Sequence, residues 1–380
     1  MKVNLADLNL HTPLIQAAQY GRSGMVRLLL AQPRIAINAA DQQGMSALMI
    51  AAENGEASIV RAIASAPGCN VNAPRHNGDS ALLLAVRNNH RRCVEVLLKI
   101  PGIDYNQRNH VGFNALSLAL SCERRDLALR LLKLPNINVN DAELTGFTPL
   151  MRAVDINDAE LVDQLLKNPL LDVNASRDGG QSALSLAVSQ DRLLCLLRLL
   201  NAPGIALDNA DAFGETTLMR AVESDIPLNV ISLLRVPGVN VNRRDRRGAT
   251  ALAYAAKRGN AIIVQILLGQ GGIEINSADQ LGFTPLMRAA QGNHHLAIAE
   301  LLTHPATALN LRNISGMSAL SLAVERGHTE AVQQLLSVPG VNIQQKDNAG
   351  RTAFTLAQQG QHPTIAVLLD RYIAGAASMR

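Results

Sequence analysis

The stretch Gly282-Phe283-Thr284-Pro285-Leu286-Met287-Arg288-Ala289-Ala290 decides the fold, because the chain says it more than once. Four periods earlier it reads Gly146-Phe147-Thr148-Pro149-Leu150-Met151-Arg152-Ala153. Related strings are anchored on Leu14, Leu48, Leu82, Leu116, Leu150, Leu184, Leu218, Leu252, Leu286, Leu320 and Phe354, and every interval is 34 residues. Eleven units without a slip mean a repeat architecture. One such unit cannot bury its apolar face alone, so neighbours must stack.

Each unit has the same grammar, counted from the anchor as zero. Position −4 is Gly in ten of eleven units, with Leu10 in the first. Position −2 is Ser, Thr or Asn throughout, a helix N-cap. Position +3 is always Ala, so backbones must approach closely there. Position +7 is Gly, Asn or Asp in nine units, suiting a left-handed helix end, with Glu123 and Gln361 as exceptions. Positions +11, +12, +15 and +16 are mostly apolar, as in Met25, Val26, Leu29 and Leu30, the stripe of a second helix. Pro at +19 ends that helix in nine of ten links, Gly271 being the exception. An extended link such as Ile137–Asn140 and a hairpin-like finger complete the unit. A weaker period overlies this one. Units 5, 7 and 9 read Leu-Met-Arg-Ala at the anchor and units 4, 6 and 10 read Leu-Ser-Leu-Ala, as growth by two-repeat duplication would give.

Composition agrees. Of 380 residues, 48% are apolar and only 2% aromatic, so the core is built from small, similar layers of Leu, Val, Ile and Ala. A charged fraction of 17% excludes a charge-driven disordered chain. The net charge of +4 is too small to imply nucleic acid. There is no run of 18 apolar residues, so no membrane partner is expected, and Met1–His11 has no apolar core for a signal peptide. Four cysteines without a C-x-x-C pair exclude a disulfide scaffold and favour a reducing, cytoplasmic compartment.

At this point the sequence resembles the ankyrin repeat family. The resemblance is carried by Thr148-Pro149-Leu150 with Ala153, Thr284-Pro285-Leu286 with Ala289-Ala290, Asp279 with Gly282, Leu301-Leu302 and Val241-Asn242. It implies an all-α solenoid of eleven helix-turn-helix units with β-hairpin fingers over residues 1–374, and a flexible tail at 375–380. Two departures stand out. The family His after Thr-Pro-Leu is absent, so its inter-repeat hydrogen bonds need a substitute, and the period is 34 rather than 33. Tetratricopeptide repeats share the period but need aromatic positions and lack the Gly-bearing finger. Gln358 and Asp370 put polar groups at slots that are otherwise apolar, as a C-terminal cap requires. The chain starts inside the first finger, at Met1–Asp7, where the array is expected to begin.

Catalytic motifs are missing: no Walker loop, no G-x-S-x-G, no H-E-x-x-H. The constant spacing leaves no room for an inserted catalytic domain, so no enzyme and no cofactor or metal is expected. Cys69, Cys93 and Cys195 take core slots, and Cys122 lies in an inter-helix loop. His90, His294, His328 and His362 all occupy +8, one per layer, which suits structure better than metal binding. Asn174 and Asn313 begin glycosylation triplets that need a secretory route.

The family resemblance implies partner contact through finger tips and first helices, here slots −6, −5, −3, +5 and +6. Those slots hold apolar residues the scaffold does not need: Val111, Phe113, Leu144, Phe147, Phe213, Leu281, Phe283, Ile314 and Met317. Repeat 8 adds Arg243-Arg244-Asp245-Arg246-Arg247, with Lys257 and Arg258. Arg152, Arg220 and Arg288 share +2 and either extend this basic stripe or snorkel over the helix. The expected function is non-catalytic protein binding by a monomer, in a concave groove over repeats 4–10. Phe113, Phe147, Phe213, Phe283 and Met317 would be its anchors. Arg220, Arg246, Arg247, Lys257, Arg258 and Arg288 would clamp an acidic and apolar partner segment. The alternatives are an elastic spacer and, more remotely, nucleic-acid or phosphate binding at repeat 8, where aromatic interleaving is absent. The Pro-Gly-Ile/Val-Asn-Val-Asn links resemble those of microbial ankyrin arrays, some of which are effectors delivered into host cells.

Overall fold

A computed structural model describes residues 3–378. The chain divides into two compact units, Met1–Asp178 with Asn201–Pro203, and Gly179–Leu200 with Gly204–Arg380.

The first unit holds five helix pairs: α1 (Pro13–Gln19) and α2 (Ser23–Leu30), α3 (Ala47–Glu53) and α4 (Ala57–Ala64), α5 (Ala81–Arg87) and α6 (Arg91–Leu97), α7 (Ala115–Ser121) and α8 (Arg125–Leu131), α9 (Pro149–Asp155) and α10 (Ala159–Leu166). The second holds six: α11 (Ala183–Ser189) and α12 (Leu193–Leu200), α13 (Thr217–Glu223) and α14 (Pro227–Leu234), α15 (Ala251–Arg258) and α16 (Ala261–Leu268), α17 (Pro285–Gln291) and α18 (His295–Thr303), α19 (Ala319–Glu325) and α20 (Thr329–Leu336), α21 (Ala353–Gln359) and α22 (Pro363–Ser378). Within each unit, first helices pack on first helices, and second helices on second as in α2 on α4, α4 on α6 and α16 on α18. The tail expected at 375–380 is helical backbone as far as Ser378, and Met379 and Arg380 lie outside the described residues. Met1 and Lys2, part of the expected first finger, lie outside them as well.

The −2 residue caps every first helix. Thr284 is typical, its Oγ1 accepting the Met287 N–H at 3.3 Å. The +3 Ala is buried in all eleven repeats and the anchor Leu in the ten that carry it, Phe354 in the last being half-buried, and Cys93, Val94 and Leu97 or Ile263, Val264 and Leu267 form the buried stripe of a second helix. Full burial of such a side chain stabilises by about 1.5–3 kcal/mol. Position +7 is left-handed in all eleven units, including the two exceptions, Glu123 at φ 57° and Gln361 at φ 55°. Leu10 adopts φ 66°, standing in for the finger glycine.

The fingers differ from expectation. They are turns, without strands among the described residues, and only Ala40↔Ser46 and Ala210↔Thr216 form isolated antiparallel bridges. The −7 N–H donates to the −3 carbonyl and the −4 glycine reverses the chain, as in Asp279 N–H to Phe283 O at 3.1 Å. That closes the finger too early for a ladder.

An asparagine at −10 supplies the inter-repeat hydrogen bonds for which the missing His left a vacancy. In the first unit the Asn106 side-chain amide donates to Asn136 O and accepts from the Asn138 N–H, both at 2.9 Å. In the second, Asn242 donates to Gly272 O at 2.7 Å and accepts from the Glu274 N–H at 2.9 Å. Asn38, Asn72, Asn140, Asn276 and Asn310 repeat the bracket. Histidines at +8 add a second tie, as in His90 Nε2 to Glu53 O at 2.8 Å and His294 Nε2 to Lys257 O at 2.9 Å.

Candidate functional site

The finger sorts the expected anchors by slot. Residues at −5 and −6 stand outside the turn. In the first unit these are Val111 and Leu144; in the second they are Phe213, 64% exposed, Leu281 and Ile314. Residues at −3 lie beyond the glycine, where the chain has turned back towards the helix. Met317, there, is 5% exposed, so its reading as a partner anchor is corrected: the turn faces it inward. Phe113, Phe147 and Phe283 are half-buried at the same slot. The Phe147 ring carries Arg152 at 4.2 Å and Arg177 at 4.7 Å, and Phe283 carries Arg288 at 4.2 Å. Cation–π stacking of this kind covers ring surface that a partner would need.

Arg220 and Arg288 are also corrected. Each closes on the −7 carboxylate of its own finger, Arg220 on Asp211 and Arg288 on Asp279, as Arg152 does on Glu143 at 2.6 Å. These carboxylate side chains are almost wholly buried, so the arginines are committed to them. Burial pushes the Asp211 carboxyl up. The Arg220 hydrogen bond and charge, with N–H bonds from Glu215 and Phe213, outweigh it and hold the group below the usual carboxylate range.

Repeat 8 breaks this pattern. Its +2 slot holds Tyr254, whose hydroxyl lies 2.9 Å from both Asp245 and Glu215. Burial and then these two carboxylates push its ionisation far up, so the hydroxyl keeps its proton. Asp245 is buried and takes N–H bonds from Arg247 at 2.9 Å and Ala249 at 2.7 Å. The acid within the basic run is thus engaged by the turn and by Tyr254. Arg246, Arg247 and Lys257 are exposed and make no ion pair among the described residues. Arg258 is exposed too, but its guanidinium donates to the Glu223 carbonyl of the preceding repeat. Arg244 pairs with Glu274 at 3.6 Å.

The structure brings Arg247 and Lys257 together in one cleft of about 320 Å³, lined also by Glu215, Glu223, Tyr254 and Arg288. Backbone bonds hold the neighbouring tips in a row: Arg246 N–H to Phe213 O at 3.0 Å, Gln280 N–H to Arg247 O at 2.8 Å, and Ile314 N–H to Leu281 O at 3.1 Å. The second unit therefore presents an exposed ring, two unpaired cations at the tip, and two exposed aliphatic side chains in sequence. Glu215, Glu223 and Tyr254 were not legible as site residues; the one available signal was an aromatic at +2, unique to repeat 8.

Among the described residues no cluster of three or more His, Cys, Asp or Glu is placed to hold a metal, and no helix is long and apolar enough to cross a membrane. Cys195 and Cys93 are buried, Cys69 and Cys122 half-buried. Burial pushes the Cys69 and Cys93 thiols up to about 11.

Comparison with known proteins agrees with this architecture. The family profile described as ankyrin repeats (3 copies) matches residues 1–75, 67–143, 116–211, 150–245, 218–313 and 298–377. Among curated proteins no match is found. A solved structure, the ankyrin repeat domain of Bcl-3, described as a unique member of the IkappaB protein family, is similar at a TM-score of 0.53 and 27% identity. The similarity covers 59% of this chain and 98% of that one. Ankyrin repeats are in general protein–protein interaction modules. With period, capped helix pairs and family match in accord over nearly its whole length, this chain belongs to the ankyrin repeat family.

Proposed function

We propose that the chain is a non-catalytic protein-binding scaffold that grips an acidic segment flanked by apolar residues. The surface is the tip row and cleft of repeats 7–10 in the second unit. One observation carries the reading: Arg247 and Lys257 line a cleft without ion-pair partners, beside exposed Phe213 and Leu281. Unpaired cations speed and orient the capture of an acidic segment, while exposed apolar side chains supply the affinity. Apolar tips without a scaffold role mark interaction surfaces. The repeat array is taken to end at residue 374. Four free cysteines support work in a reducing, cytoplasmic compartment. The likeness of the links to microbial arrays supports an adaptor or effector role.

The test is a paired capture. Wild type and the variant Phe213→Ser, Arg247→Glu, Lys257→Glu, Leu281→Ser are used as baits after circular dichroism shows equal helix content. A protein retained by wild type alone, with binding that weakens as salt rises, supports the reading. Equal retention on both baits overturns it. The covered rings of Phe147 and Phe283 favour one rival, a spacer without a partner, which predicts no specific capture by either bait.

A further inference from the structure

Seven repeats carry a carboxylate at −7. In five of them the side chain at +2 of the same repeat closes it: Gln16 on Asp7 at 3.3 Å, Arg152 on Glu143, Arg220 on Asp211, Tyr254 on Asp245 and Arg288 on Asp279. In the sixth, Arg351 at −3 reaches Asp347 at 2.7 Å. The seventh, Asp41 in the first unit, is the exception. Its Oδ1 serves the turn, accepting the Gln43 and Met45 N–H groups at 2.8 Å each. Its Oδ2 accepts no hydrogen bond among the described residues, although the side chain is only 6% exposed. The residues in the closing slots, Ile50 at +2 and Met45 at −3, are apolar. The His11 ring stands off at 3.7 Å, beyond hydrogen-bond reach. Arg75 of the next repeat, against Met45, is turned onto Asp79 at 2.8 Å.

Asp41 lines a cleft of about 410 Å³ between the first two repeats, a volume in the range of small-ligand sites. Glu53 lines it too, half-buried and without an ion pair among the described residues. Gln19 and Gln43 add polar side chains, beside Met45 and Ile50. Neither Lys nor Arg lines the cleft among the described residues. A buried carboxylate without a cation is costly, so an entering cation meets a group that is already desolvated. We propose that this cleft is a receptor for an arginine side chain of a partner protein, whose guanidinium takes on Asp41 the place that Arg220 and Arg288 hold on Asp211 and Asp279. Where a cation closes one of these carboxylates in the chain itself, it is an arginine and never a lysine. The planar fork of a guanidinium matches a carboxylate, whereas an ammonium is a point charge. Glu53 gives the cleft a second negative charge for the same cation.

NMR titration of the full chain tests the proposal, read at the Gln43 and Met45 amides that bond Asp41. The probe is the blocked tripeptide acetyl-Gly-Arg-Gly-amide, with lysine and citrulline counterparts as controls. Citrulline keeps the shape and lacks the charge. Wild type is expected to show saturating shifts with the arginine peptide, at a dissociation constant on the order of 1 mM. The citrulline peptide should bind at least about tenfold more weakly. Asp41→Asn keeps an oxygen for the turn and should lose about tenfold in affinity. Ile50→Arg installs at +2 the arginine that repeats 5, 7 and 9 carry. It should close on Asp41, abolish the shifts and raise the urea midpoint. Circular dichroism checks both variants for fold. The proposal is overturned by a wild type that does not saturate, or by lysine or citrulline peptides that bind as tightly as arginine. A folded Asp41→Asn or Ile50→Arg protein that binds like wild type overturns it as well. None of these outcomes touches Arg247 or Lys257 in the second unit, so this site and the tip surface fail separately.

Discussion

Arg288 closes on Asp279, nine residues before it, while its guanidinium carbon sits 4.2 Å from the centroid of the Phe283 ring. One side chain thus ties the start of the finger, its return and the first helix together. Arg288→Ala leaves a buried carboxylate without its cation. The expected cost is about 1–3 kcal/mol, below the figure for a fully buried pair because Arg288 is partly exposed. Arg246→Glu with Arg247→Glu should stay within about 0.5 kcal/mol of wild type. Urea unfolding followed by circular dichroism checks both, and equal midpoints for all three proteins would refute the structural role of the pair.

Acid should weaken the first unit through Asp79. Burial pushes this carboxyl up, but hydrogen bonds from Asn109, Arg75 and Asn77 and the Arg87 charge outweigh burial and hold it below its ordinary value. A group depressed in the folded state contributes stability above its unfolded pKa and loses it as pH falls through the folded one. The window therefore opens below about pH 4. Asp79→Asn should be less stable at neutral pH and show a flatter midpoint between neutral pH and that window. An unchanged slope would count against the cluster.

Asn242 should govern the exchange of one distant amide. Its side chain accepts the Glu274 N–H in the next repeat. Asn242→Ala should raise hydrogen exchange at Glu274 by about tenfold, which corresponds to a loss of about 1.4 kcal/mol, within the range of one hydrogen bond. Amides inside α13 should change little. Exchange read by NMR or mass spectrometry decides it.

Tyr254 should resist ionisation until the protein unfolds. Its folded-state value is raised by burial and by Asp245 and Glu215, so its contribution is present below the unfolded phenol value of about 10 and is lost as pH climbs beyond it. In a difference titration of wild type against Tyr254→Phe, the extra phenolate signal should emerge only with alkaline unfolding. Its emergence from folded protein would mean that the hydroxyl does not sit between the carboxylates.

The period, the caps and the buried stripe were legible because they depend on residues close in sequence. Thr284 and Leu286 announce a helix start whatever surrounds them. What was misread depends on the turn and on the neighbouring repeat. The −5 and −3 slots look equivalent in sequence, yet Phe213 ends outside the finger and Met317 inside it, because the glycine between the slots reverses the chain. Arg288 and Asp279 are nine residues apart, a spacing no helix or strand period flags. The Asn106 bracket reaches 30 and 32 residues onward, so an invariant-looking Asn-x-Asn link read as an extended connector. In repeat 8 the run of basic residues was legible, and the tyrosine that occupies Asp245 was not.

The helix-ending glycines carry one further consequence. At Gly55 a Cβ would come within 2.7 Å of the His90 ring in the next repeat, and Gly259 with His294 and Gly327 with His362 stand in the same relation. Each pair forms a lock whose halves lie 35 residues apart in the chain. Changing the glycine alone strains both its left-handed backbone and the neighbouring ring. Removing the histidine first relieves the second strain and leaves the first. The order of substitution therefore decides which intermediates survive, and a designer splicing repeats from different arrays must carry the two halves across each junction together.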